Sequence, residues 1–111
     1  LAALKLYEDE GLFERANKLS SYWEDAIHSL KGLRNVIDIR NLGLIGAVEL
    51  EPIEGKPTKR AYNVLCEAFL NQKTLLRVTG DIVALSPPLI IEKSQIDQLV
   101  ENLKITLQQT E

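Results

Sequence analysis

The sequence predicts an α/β (α+β) sandwich: a small, mainly antiparallel sheet of about four strands with helices on one face, formed as a single domain over residues 1–111. Three observations point there. Apolar residues recur at helical spacing in long segments, short β-favouring stretches meet at glycine turns, and these segments run in the order helix, strand pair, helix, strand pair, helix. A chain of 111 residues can bury roughly two-thirds of its unfolded surface, enough for one modest core without covalent staples.

Leu1 to Asp9 reads as a helix that Glu10-Gly11 breaks, the acidic Glu8-Asp9-Glu10 being a solvated helix end. Leu12, Ala16, Leu19, Trp23, Ile27 and Leu30 then fall three or four residues apart. They make one face of a helix running to about Lys31, with Gly32 placed to end it. Trp23 belongs to that inner face; the adjacent Tyr22 cannot share it and is expected at the rim. Val36 to Ile39 and Leu44 to Glu51 read as a hairpin in which Gly43 and Gly46 mark close backbone packing. Pro52 to Pro57 is a loop. Thr58 can cap a helix whose inner face is Ala61, Leu65 and Ala68 or Phe69, with Cys66 a small buried hydrophobe on it. The stretch from Leu75 to Leu85 divides into two strands at Thr79-Gly80-Asp81, where Gly80 supplies the positive φ of a short hairpin loop. Ser94 and Asp97 suggest a variant capping box for a last helix that packs Ile96, Leu99, Val100, Leu103 and Leu107.

A sheet covered on one side should alternate apolar and polar residues. This one does not. Leu44, Gly46, Val48 and Leu50 share a face, yet Ile45 and Ala47 occupy the other, and Leu89-Ile90-Ile91 is continuously apolar. Either a local loop buries the excess, or the surface meets polypeptide outside this chain or a second copy of it.

Within the run from Leu75 to Pro88, Arg77 is the one cation, set in an apolar strand beside a tight turn. A planar, permanently charged guanidinium held by two strands suits bidentate capture of a carboxylate, for which a lysine would offer only a point charge. The same side chain could instead pair with Asp81 or another local acid at a sheet edge.

The residues Gly80-Asp81, Ile82 to Leu85, Pro87-Pro88-Leu89 and the helix after Ser94 resemble the closing segment of the class III, pyridoxal-phosphate-dependent aminotransferases. Glu10-Gly11-Leu12-Phe13-Glu14-Arg15-Ala16 and Asn41-Leu42-Gly43-Leu44-Ile45-Gly46-Ala47-Val48-Glu49-Leu50 are similar to the same family, so the likeness covers nearly the whole chain. It implies the small C-terminal domain of a fold-type I pyridoxal-phosphate enzyme, with Arg77 as the residue that binds the substrate carboxylate. An arginine before the turn, with Ala84 in the following strand, resembles the ω-amino acid:pyruvate (β-alanine:pyruvate) transaminases. Ornithine-type members carry their arginine at the position of Ala84, so that specificity is not expected. The resemblance also implies a homodimer, a large cofactor domain as partner, and small amino and keto acids as substrates.

Other chemistry is sparse. His28, the only histidine, is expected on an exposed helix side, and one imidazole with one thiol cannot build the usual four-ligand zinc site. Gly43 and Gly46 precede no helix N-terminus that could receive a phosphate. A net charge of −3 with dispersed cations gives no electrostatic reason to bind nucleic acid or an anionic membrane. Cys66 alone permits no internal disulfide and fits a reducing, cytoplasmic setting. No apolar run approaches the roughly 18 residues of a spanning helix. Pyridoxal-phosphate chemistry needs a lysine to hold the cofactor covalently and an acid beside its ring nitrogen. No lysine here lies in the family's setting for that role, so this chain is expected to contain no catalytic residue, to bind no cofactor alone and to be inactive alone. The uncapped opening Leu1-Ala2-Ala3-Leu4, without methionine, leads to the expectation of an excised fragment. Two other readings stay open: a free-standing small-molecule-binding or regulatory module, and the small domain of another pyridoxal-phosphate enzyme such as a decarboxylase or aminomutase.

Overall fold

A computed structural model describes residues 1–110. The elements are α1 (Ala2–Asp9), α2 (Leu12–His28), β1 (Val36–Leu42), β2 (Ile45–Leu50), α3 (Lys59–Asn71), β3 (Arg77–Thr79), β4 (Ile82–Leu85) and α4 (Lys93–Gln109). The four strands form one antiparallel sheet in the order β1-β2-β4-β3. Two hairpins are thus zipped together along β2 and β4, and the expected sandwich is the observed architecture.

Residues paired across an antiparallel sheet point to the same side. The row Ile39, Val48, Val83, Val78 faces α2, α3 and α4 and is buried or half-buried. Trp23 and Ile27 from α2, Leu30 from the turn after it, Ala61, Val64 and Ala68 from α3, and Ile96, Leu103 and Leu107 from α4 complete the core. The helical spacing of these residues puts each set on one face, and burying that face is what stabilises the helices. α1 is different: it buries no side chain and makes one aromatic contact, Tyr7 edge-on to Phe13 with ring centroids 5.4 Å apart.

Several local expectations change. α2 ends at His28, three residues short of Lys31, and Gly32 turns the chain beyond it with φ +91°. The Thr58 side chain makes no cap bond; Thr58 itself adopts φ +71°, and the acceptor for the start of α3 comes from elsewhere. The box that opens α4 is formed by Glu92 and Gln95, the Glu92 amide donating to Gln95 Oε1 at 2.9 Å, in place of Ser94 and Asp97. Asp97 instead accepts the Tyr22 hydroxyl, joining α4 to α2, and this bond raises the Tyr22 pKa above its ordinary value of 10.0. On α3 the buried positions are Ala61, Val64 and Ala68, with Leu65 only half-buried and Phe69 exposed. Cys66 is half-buried, not enclosed, because it lies beside that stripe.

Candidate functional site

The other side of the sheet carries no helix. Its central row is Arg40, Ala47, Ala84, Arg77, one residue from each strand in spatial order. At strand spacings of about 4.8 Å, the two arginines stand at opposite ends of a lane roughly 14 Å long, floored by two methyl groups. The ends are not equivalent. Arg40 Nη1 lies 2.7 Å from Asp38 and 3.6 Å from Glu49, so its charge is matched by acids of the neighbouring row. Arg77 is exposed and, among the described residues, forms no salt bridge.

The pairing of Arg77 with Asp81 is corrected by what Asp81 does. Its Oδ2 accepts the Thr58 amide at 2.8 Å and its Oδ1 accepts the Ala61 amide at 3.2 Å. Both oxygens face the first turn of α3, where unpaired N–H groups and the positive end of the helix dipole favour an anion. The Asp81 carbonyl also accepts the Leu50 amide at 2.8 Å. The turn at Gly80, with φ +60°, is therefore fastened to β2 and α3 while Arg77 is left free on the open face.

Arg77 borders an open groove of about 670 Å³, within the volume range of small-ligand sites. Ile45, Leu75 and Ala84 line it with the arginine, and Ser86 to Pro88 form part of its wall. Leu75 and Ile45 are 79% and 58% exposed, so the apolar side chains that flank the charge face outwards. Beyond Pro87-Pro88 a second groove, about 850 Å³, continues past Leu42 and Ile90 to Leu6 and Tyr7 of α1. A cation in an apolar setting, with no acid of its own, can hold a carboxylate and seat a small hydrocarbon body beside it.

The remaining candidates stand apart from this groove. His28 is half-buried and bonds Asn41 Oδ1 at 2.9 Å, a contact between α2 and β1 that corrects its expected exposure. Gly46 has the close packing expected of it, whereas Gly43, with φ +57°, serves the β1–β2 turn. Asp81's reach to α3 and a bond from Arg15 Nη1 to the Leu89 carbonyl, 2.7 Å long, were not signalled by any local pattern, because both join residues far apart in the chain.

The model of the family described as aminotransferase class-III matches residues 1–107. An omega-aminotransferase of Caulobacter vibrioides is 51% identical over 111 residues, covering 100% of this chain and 25% of that protein. A beta-alanine–pyruvate aminotransferase of Pseudomonas aeruginosa is 33% identical over 101 residues, covering 91% of this chain and 22% of that protein. A solved transaminase with L-alanine superposes with a TM-score of 0.87 at 27% identity, over 94% of this chain and 26% of that one. The chain thus spans about a quarter of the length of the curated relatives it matches. Class III aminotransferases use pyridoxal phosphate, and the residues here do not fit that group. Every lysine is exposed, and none lines the groove beside Arg77.

Proposed function

Because this chain belongs to the class III aminotransferases, we propose that it is the C-terminal small domain of an enzyme that moves an amino group from an ω-amino acid or amine to pyruvate, and that Arg77 holds the carboxylate of the acceptor. The observation that carries this reading is the unmatched guanidinium on an uncovered sheet face, flanked by Ile45, Leu75 and Ala84. Pyruvate offers one carboxylate for the fork and one methyl group for the apolar flank. The small side chains of Ala84 and Ala47 keep the floor low, so the guanidinium can lie near the sheet or stand off it as acid and amine alternate in one pocket. The relatives named for ω-amino acids and β-alanine with pyruvate, and the neighbour solved with L-alanine, support this choice of substrates.

In this proposal the polypeptide that completes the pocket, with the cofactor and its lysine, lies outside these 111 residues, and the enzyme works as a cytoplasmic homodimer. The contribution of this chain is binding and orientation. A hydrogen bond to a charged group is worth about 1.5–3 kcal/mol net. Arg77→Ala in the full-length enzyme is therefore expected to raise KM for pyruvate roughly ten- to hundredfold, with a smaller loss for amine donors that carry no carboxylate. Arg77→Lys should recover only part of it, because the fork is lost. Steady-state kinetics with both donor types checks this; an unchanged KM for pyruvate in Arg77→Ala would remove Arg77 from the site.

A further inference from the structure

We infer that Arg15 is a positioning residue for the wall of the Arg77 groove. Ser86 to Ile91 leave β4 and reach the capping box of α4, and this segment lines the groove at Pro87-Pro88. Two successive prolines have no N–H to donate, so this part of the wall cannot be tied down by its own amides. Its backbone is held at two points among the described residues. The Ile91 amide donates to the Pro88 carbonyl at 3.0 Å, a bond internal to the segment. Arg15 Nη1, from the second turn of α2, donates to the Leu89 carbonyl at 2.7 Å across 74 positions of sequence, and this is the polar link between the wall and the helical layer.

Arg15 is half-buried and, among the described residues, has no acid within salt-bridge range. Its charge is therefore directed at a carbonyl, which makes the bond charge-assisted and short. Pro88 lines both grooves and Leu89, the residue Arg15 holds, lines the second, so one guanidinium steadies the ridge between the two cavities. Without it the ridge keeps its packing but loses its fixed height above Arg77. The effect belongs to substrate placement, where small displacements of a pocket wall change binding well before they change folding.

This inference rests on the proposed carboxylate role of Arg77, and the test separates the two. In the full-length enzyme, Arg15→Met keeps the aliphatic stem and removes the donor. It is expected to raise KM for pyruvate about tenfold while kcat at saturating pyruvate stays within about twofold, the pattern of lost uniform binding. Arg15→Lys, which retains a cationic donor, should return KM to within about threefold of the parent enzyme. If Arg77→Ala raises KM but Arg15→Met leaves it unchanged, Arg15 is not a positioning residue while the Arg77 reading stands. A joint fall in kcat and melting temperature with KM unmoved, not rescued by Arg15→Lys, makes Arg15 a packing residue only and also overturns the inference. An unchanged KM in Arg77→Ala overturns both.

Discussion

A methyl group added at Gly46 would meet Ile27 Cδ1 at 2.8 Å and Trp23 Cζ2 at 3.3 Å. The backbone there is ordinary, so the constraint is space alone. Ile27 and Trp23 are both 0% exposed, which leaves neither a solvent direction in which to retreat. Overpacking at such a contact costs about 1–3 kcal/mol. Gly46→Ala should lower the unfolding free energy by that amount, read in urea as a lower midpoint with an unchanged slope, whereas Gly43→Asn, at a turn position with positive φ and no neighbour within 4 Å, should be mild. Arg77 is the opposite kind of residue. It is exposed, it forms no salt bridge among the described residues, and its substitution is expected to register in binding and hardly at all in stability.

At the scale of elements, the β3–β4 ribbon is the piece that matters, and Asp81 holds it in place. Removing its carboxylate strands two amides at the start of α3, those of Thr58 and Ala61. Caps of this kind are worth about 0.5–2 kcal/mol. Asp81→Ala is expected to destabilise by about 1–2 kcal/mol in chemical unfolding, and amide exchange should speed up most in the first turn of α3, although the substitution is made in the hairpin. The sequence made the ribbon legible through Gly80 and its flanking β-favouring residues, and it made all three long helices legible through their spacing. The caps were not legible. A Thr before α3 and a Ser near the start of α4 have the right chemistry, but Thr58 is turned to φ +71° and Glu92 with Gln95 reaches the end of α4 first. Helix ends are decided by whichever acceptor the tertiary fold brings near, and Asp81 is 23 residues away from the amide it serves. The site divides the same way. Arg77 and the misplaced apolar residues Ile45 and Ala47 could be read from phase along a strand, while the link from Arg15 to Leu89 has no local signature.

For the whole molecule, the decisive property is that one sheet face is covered and the other is not. The uncovered side carries Leu42 and Ile45 as a cross-strand pair, 79% and 58% exposed, and the groove beside them runs on to α1 and Ile90. Apolar surface of this extent is normally hidden in a larger assembly. On its own, the chain is expected to self-associate with rising concentration, and Ile45→Lys should return it to monomer in sedimentation velocity without lowering its melting temperature. The same variant in a full-length enzyme should do the reverse, disturbing the pocket wall and weakening pyruvate binding. No helix among the described residues is long and apolar enough to cross a membrane.

The attachment of Asp81 to α3 has a practical consequence for chimaeras. A hairpin transplanted from a relative to alter substrate choice would meet a helix start it was not matched to, and any misfit where Asp81 now bonds Thr58 and Ala61 would tilt the ribbon. The unit to exchange is the hairpin together with residues 56–61, moved as one cassette.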